Sequence, residues 1–372
     1  MSKKDVNTYK RKNGHRICPC IHSYDAAGKV KYGYVCRSTN QEAISKKFSC
    51  NQVYSEKTLS DAIYSNLLDD WLSSSKLRTK ESTYARYSHL VRTHIKPHLG
   101  KYAIAQLNTR TVELFVAQQL ENGRLDQKGG LAVKTVTDIL TIIKSSLEYA
   151  RYNGIEVPCN LSKLVIKKQG KEMRVLTPHE QKKLVNVLMH DMDSSKFGVL
   201  LSLYTGIRIG ELCALRWEDI CLPQSELNIK KTMQRIQTTE SDALSKTKII
   251  ITEPKSKSSV RNIPLPIFLT EIAGRFFSDP QAFILSGDAN RYVEPRTMQN
   301  RFKTYAAESG IDRVTFHVLR HTFATRCVEV GFEIKSLSEI LGHANVNITL
   351  NRYVHSSFEL KQSNMNKLEL PL

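Results

Sequence analysis

Apolar positions change their spacing several times along this chain of 372 residues, and each change marks a different kind of structure. Up to about residue 57 the period is short. Lys31-Tyr32-Gly33-Tyr34-Val35-Cys36 alternates as a half-buried strand does, and Lys10-Arg11-Lys12-Asn13-Gly14-His15-Arg16-Ile17 reads as a basic turn entering another strand. Ala26-Ala27-Gly28-Lys29-Val30 supplies a further turn, and 40–48 has a helical pattern. The prediction here is a small sheet of about three strands followed by a helix.

From Thr58 the period lengthens. Thr58-Leu59-Ser60-Asp61 has the composition of a helix N-cap, and Leu59, Ile63, Leu67, Leu68, Trp71 and Leu72 form a stripe behind it. Further helices are expected over 81–95, Thr109–Asn122 and Val133–Tyr152, the last carrying Val136, Ile139, Leu140, Ile143, Leu147 and Ala150 on one face. Tyr84, Arg86, Tyr87, His89, Arg92 and His94 give the helix at 81–95 a polar side suited to phosphates, although Tyr84 and Tyr87 also fit partly buried aromatics. Lys163, Lys167, Lys168 and Lys171, broken by Gly170, read as an exposed junction. Beyond it Thr177-Pro178-His179-Glu180 starts a capped helix. Helices 196–204 and 208–216 follow, then strands at 227–229 and 261–266 of a small antiparallel sheet, then mostly helix to about 343. The fold class is therefore multidomain α+β, in three parts at 1–57, 58–168 and 173–372. The first is a three-stranded β-module, the second a helical domain, and the third mostly α with a small antiparallel sheet.

Charge narrows the partner. Fifty-five basic against 36 acidic residues leave a net charge of +19, which points to a polyanion such as nucleic acid. The first 57 residues alone carry 12 basic and 4 acidic side chains, or +8, and a compact basic sheet of that kind can enter a DNA groove. A mean hydropathy of −0.35 and the absence of a run of about 20 apolar residues argue against a membrane segment. Met1-Ser2-Lys3-Lys4-Asp5 lacks a secretory signal, so a cytoplasmic protein with reduced thiols is expected. Cys18-Pro19-Cys20 with Cys36 and Cys50 invites a zinc reading. The C-x-C spacing leaves too little chain to wrap an ion, and neither a metal nor another cofactor is expected.

The chemistry is concentrated late in the chain. Thr205-Gly206-Ile207-Arg208-Ile209-Gly210-Glu211 is followed by His317-Val318-Leu319-Arg320-His321, then Leu341-Gly342-His343, then Tyr353-Val354-His355. Two guanidinium forks can hold the non-bridging oxygens of a phosphate and offset charge in its pentacoordinate transition state. A tyrosine can attack the phosphorus and conserve the bond energy as a phosphotyrosine. His317 lies three residues before Arg320, so a helix projects both from one face. An imidazole there, titrating near neutrality, suits proton transfer from Tyr353. No paired-carboxylate set suited to two-metal hydrolysis is evident.

These motifs resemble the catalytic domain of the tyrosine recombinase, or phage integrase, family across about residues 174–360. Lys255-Ser256-Lys257-Ser258-Ser259-Val260-Arg261-Asn262-Ile263-Pro264-Leu265 extends the match. Residues 58–166 resemble that family's helical, SAM-like core-binding domain. The N-terminal module resembles the arm-binding domain of conjugative-transposon integrases, on Tyr9-Lys10-Arg11-Lys12-Asn13-Gly14 and Lys31-Tyr32-Gly33-Tyr34-Val35. The resemblance implies a site-specific recombinase that integrates and excises a mobile element through a 3′-phosphotyrosyl intermediate. It implies Tyr353 as nucleophile, Arg208 and Arg320 on the phosphate, His317 and His343 beside them, and Glu211 as an acidic residue orienting Arg208 or His317. It also implies a hairpin lysine that protonates the leaving 5′-oxygen, with Lys255 favoured by the family's pattern and Lys257 the alternative. His321 and His355 fill no role in that pattern. Expected partners are double-stranded DNA at core and arm sites, three further protomers in a homotetramer, and an excision or DNA-bending accessory protein. The tail from Phe358 to Leu372 would either dock on a neighbouring protomer or fray. Two rival readings share much of this sequence: a type IB topoisomerase-like strand relaxer, and a catalytically silent DNA-binding regulator.

Overall fold

A computed structural model describes residues 9–10, 16–24, 30–37, 63–167, 173–238, 246–254, 256–353, 362 and 365, the first three segments as backbone alone. The helix expected at 40–48, the N-cap at Thr58, the cysteine side chains before residue 51, Lys255, the Lys257 side chain, His355 and most of the tail lie outside the described residues. The chain forms two compact units, Met1–Gln169 and Gly170–Leu372.

In the first unit, backbone strands β1 (Tyr9–Lys10), β2 (Arg16–Tyr24) and β3 (Val30–Arg37) pair antiparallel in that order. Tyr9 faces Ile17, Ile17 faces Cys36, and the register shifts between Ile21 and Ser23. The helices of this unit are α1 (Tyr64–Arg78), α2 (Glu81–Leu90), α3 (Lys96–Leu99), α4 (Thr109–Asn122) and α5 (Val133–Tyr152). The apolar stripe of α5 is buried against Tyr64, Leu68 and Trp71 of α1 and Val112 and Phe115 of α4. The Tyr64 hydroxyl lies 2.7 Å from Ser146 Oγ, so the core phenol keeps a partner. Helix 81–95, expected as one regular element, instead ends in a π-helical turn over Val91–Ile95 before α3. Pro97 near the start of α3 has no N–H to give, and the hydrogen-bond ladder widens just ahead of it. Tyr84 and Tyr87 are partly buried against this core, with the Tyr87 ring 5.4 Å from that of Trp71. They are packing aromatics.

The second unit begins with α6 (Pro178–Met189), whose Thr177 and Glu180 cap each other's backbone amides. The buried helix α7 (Ser194–Thr205) and the short α8 (Ile209–Ala214) follow, close to the predicted 196–204 and 208–216. Strands β4 (Ile220–Cys221), β5 (Glu226–Ile229) and β8 (Arg261–Pro264) form an antiparallel sheet with Leu227 opposite Ile263. Between them a separate hairpin of β6 (Thr232–Gln237) and β7 (Thr247–Thr252) lies outside the predicted set. Its strands alternate too weakly to stand out, because only Met233 and Ile236 of β6 are buried. The remaining helices are α9 (Ile267–Phe276), α10 (Pro295–Glu308), α11 (His317–Glu329), α12 (Ile334–Leu341) and α13 (Val346–Tyr353). Phe197, Trp217, Phe302 and Leu319 anchor the main core, and Cys327, Leu337, Leu341 and Tyr353 form a satellite cluster. Among the described residues no helix is long and apolar enough to cross a membrane, and no group of His, Cys, Asp or Glu could hold a metal ion.

Candidate active site

Five chain segments bring their ends together in the second unit. Helix α7 stops at Gly206, whose φ of +66° is a left-handed C-cap, and a β-carbon there would lie 2.5 Å from Phe323 Cδ1. Glycine is required by both conformation and space. The turn so formed delivers Arg208 at the start of α8 and turns the Gly206 carbonyl to Arg320, which donates to it from Nη1 at 2.8 Å. Arg320 also donates from Nη2 to the Leu341 carbonyl at 2.7 Å. Burial, then the charge of Arg208, pull its guanidinium down to about 9, so it is still cationic at neutral pH.

Arg208 is held from below by a carboxylate. Its backbone N–H donates to Glu211 Oε2 at 2.9 Å and its Nη1 to Oε1 at 2.7 Å. Glu211 is 2% exposed, whereas the Arg208 side chain is 37% exposed, so the pair presents a guanidinium on a buried anionic seat. A second guanidinium, Arg261 on β8, meets both oxygens of the same carboxylate at 3.0 and 3.3 Å. Burial alone would raise the Glu211 pKa, but Arg261 and Arg208 outweigh it and hold it below the usual carboxylate range.

Helix α11 places His317, Arg320 and His321 on one face, three and four residues apart. The rings of His317 and His321 meet edge to face with centroids 4.5 Å apart. His321 Nδ1 lies 3.0 Å from the Tyr353 hydroxyl, and Tyr353 is itself buried, 5% exposed. His343, just past α12, stacks parallel to the Tyr353 ring with centroids 6.4 Å apart. Its tautomer follows from its partners. Arg320 Nη2, which can only donate, sits 2.9 Å from Nε2, so Nδ1 carries the hydrogen and donates to Thr349 Oγ1 at 2.8 Å.

All three imidazoles are pushed down to about 4, first by loss of solvent around them and then by neighbouring charge. For His317 the charges are Arg320, Arg352 and Arg208, and for His343 they begin with Arg320; for His321 the His317 ring comes first. The sequence suggests a histidine titrating near neutrality. Each is instead held neutral, His321 and His343 partly buried and His317 at a more open position beside Arg320. Beside His317 a cleft of about 330 Å³ opens between α10 and the turn before α8, lined in part by Arg296, Gln299 and Lys303.

The structure thus gathers Arg208, Glu211, His317, Arg320, His343 and Tyr353 around one locus. Residue 256 onward of the turn carrying the candidate lysines returns to this locus through Arg261. Two residues without an assigned role in the sequence are part of it. His321 holds the tyrosine hydroxyl, and Arg261 shares the Glu211 carboxylate. The signal for His321 was present in its spacing, four residues after His317 on a helix. For Arg261 no local spacing could reveal a partner 50 residues away.

Comparison with known proteins bears on the family and the fold. Residues 63–118 match the phage integrase N-terminal SAM-like domain, and residues 174–359 match the phage integrase family. A tyrosine recombinase XerC-like protein of Caldanaerobacter subterraneus subsp. tengcongensis is 26% identical, covering 95% of this chain and 95% of its own. The transposase from transposon Tn916 of Enterococcus faecalis is 26% identical over 78% of this chain and 74% of its own. The structure of the Tn1549 transposon integrase in complex with a circular intermediate DNA superposes with a TM-score of 0.65 at 22% identity, covering 82% of this chain and 99% of that one. A family match spanning residues 174–359, on an integrase-like fold that is mostly helical with small antiparallel sheets, leads to one assignment. This chain belongs to the phage integrase family, the tyrosine recombinases that cut and rejoin DNA by transesterification.

Proposed function

We propose that this recombinase integrates and excises a mobile DNA element, with Tyr353 as its nucleophile. The observation that carries the reading is the junction of Tyr353, His321 and the Arg320–His343 pair in one locus. Arg208 and Arg320 bind the non-bridging oxygens of the scissile phosphate, and Arg208 is the more open of the two. The Tyr353 oxygen attacks phosphorus while its proton passes to a neutral imidazole, His321 at 3.0 Å in this structure or His317 beside it. The bond from phosphorus to the 5′-oxygen breaks, and that oxygen takes a proton from Lys255, with Lys257 the alternative. The product is a 3′-phosphotyrosyl link, which a second 5′-hydroxyl reverses on the partner strand. No nucleotide or external energy source enters this balance.

The reading extends to the other parts of the chain. Residues 58–168 grip the core site, and the basic strands before residue 38 read a separate arm site. Four protomers on two sites exchange strands in pairs, with an accessory protein setting direction. The transposase relative from Tn916 supports a mobile-element substrate. The cleft beside His317, with Arg296, Gln299 and Lys303, suits the backbone flanking the scissile phosphate.

A nicked suicide duplex bearing an element end tests this directly. Covalent adduct followed by recombinant product on paired sites is the expected outcome. Adduct with plasmid relaxation and no recombinant would favour a strand relaxer, and specific binding without adduct a silent regulator.

A further inference from the structure

Arg261 stands at a junction of three parts of the site. Its Nη1 and Nη2 donate to Glu211, whose other partner is Arg208. Its Nε donates to the Ile340 carbonyl at 2.5 Å, in the last turn of α12 ahead of His343. Its Nη1 also donates to the Ser259 carbonyl at 3.0 Å, in the 3₁₀ turn Lys257–Ser259. With a side chain 6% exposed, Arg261 is buried where an uncompensated charge would be costly, and these acceptors satisfy it. The neighbouring backbone closes on it: a β-carbon at Gly342, where φ is +64°, would meet Arg261 Nη1 and the Ser258 carbonyl at 3.0 Å each.

The turn itself is knit by short-range bonds. Ser256 Oγ lies 2.9 Å from both Ser258 Oγ and Ser259 Oγ, and the Ser259 N–H donates to the Ser256 carbonyl at 3.0 Å. Those bonds fix its shape and not its place. Arg261 ties it outward to α8 and α12. The Arg208 side is less dependent, since Arg208 keeps two bonds of its own to Glu211.

We infer that Arg261 is a positioning residue for the leaving-group step: it sets the turn Lys257–Ser259, which follows Lys255 in the sequence, at a fixed distance from the Arg208 clamp, so that acid and clamp meet one phosphate. This rests on the proposed acid role of a turn lysine. Misplacing a catalytic group by about 1 Å can cost on the order of a hundredfold in rate.

Single-turnover cleavage by the full-length protein provides the test, using suicide duplexes with either an ordinary phosphate or a sulfur at the bridging 5′ position. A thiolate leaves without an acid, so sulfur restores any variant whose defect is protonation. Arg261→Gln is expected to slow cleavage of the oxygen substrate by about a hundredfold, to leave DNA affinity within threefold, and to regain most of that loss on the sulfur substrate. Arg261→Lys, which keeps the charge and loses the fork, is expected to fall between. The oxygen-to-sulfur ratio is internal to each variant, so a partly folded preparation does not alter it. Lys255→Ala and Lys257→Ala run in parallel. Sulfur rescue of one lysine variant without rescue of Arg261→Gln would overturn the positioning role alone. Rescue of neither lysine variant would overturn the acid assignment and the inference with it.

Discussion

His321 is the residue at which structure adds most to the chemistry. Its Nδ1 is 3.0 Å from the Tyr353 hydroxyl, and an imidazole pushed down to about 4 is unprotonated at neutral pH and free to accept the phenolic proton. Replacing His321 with Ala is expected to slow adduct formation by about 10², with DNA affinity little changed. An unaltered rate in His321→Ala, with a large loss in His317→Ala, would return the base to His317. His343 is constrained differently. Its Nε2 accepts from Arg320 and its Nδ1 donates to Thr349, so in this arrangement neither nitrogen is spare for a phosphate oxygen. For Nε2 to donate to a phosphate oxygen, Arg320 would have to release it and the ring would have to carry a hydrogen there.

Among the elements, the ends of helices carry the site. Gly206 and Gly342 terminate α7 and α12 in left-handed conformations, and the carbonyls beside them, Gly206 and Leu341, are the acceptors that fix Arg320. Gly206→Ala should therefore cost more than its left-handed strain of about 1–2 kcal/mol, because the added methyl meets Phe323. Chemical denaturation is expected to show that loss, and single-turnover cleavage a further loss as Arg208 and Arg320 shift together. Full activity in a destabilised Gly206→Ala protein would mean the turn serves folding alone. Much at this scale was legible in the sequence. The capped start at Thr177, the stripe of α5 and the strands around Leu227 and Ile263 follow from short-range pattern. The π-turn at Val91–Ile95 and the hairpin β6–β7 did not, since a ladder shift leaves the apolar period intact and a half-exposed hairpin barely alternates. The site residues were legible as types and order. Their hydrogen bonds were not, because Arg320 to Gly206 and Arg261 to Glu211 span 114 and 50 residues.

For the whole molecule, the site is a concentration of positive charge that waits for a phosphate. Arg208 and Arg261 pair with one carboxylate, Glu211, Arg320 lies close by, and the three imidazoles stay neutral through loss of solvent first and neighbouring charge second. This has a thermodynamic signature. Each imidazole has a folded value of about 4 against about 6.5 unfolded. Above the higher value both states are neutral. Between the two, the unfolded chain binds protons that the folded chain excludes, so stability falls as pH drops through that window. The Tm of the DNA-free protein is expected to decline from pH 7 to pH 4.5, and the decline to be shallower when His317, His321 and His343 are all replaced by Gln. An equal slope in that variant would place the acid sensitivity elsewhere. The proposed chemistry requires Tyr353 to become joined to DNA. Proteolysis of the adduct formed on a suicide duplex, followed by mass spectrometry of the DNA-linked peptide, tests it most directly. The expected result is a phosphodiester on Tyr353 and no adduct from Tyr353→Phe, whereas a DNA-linked peptide from any other part of the chain, or adduct persisting in Tyr353→Phe, would contradict it.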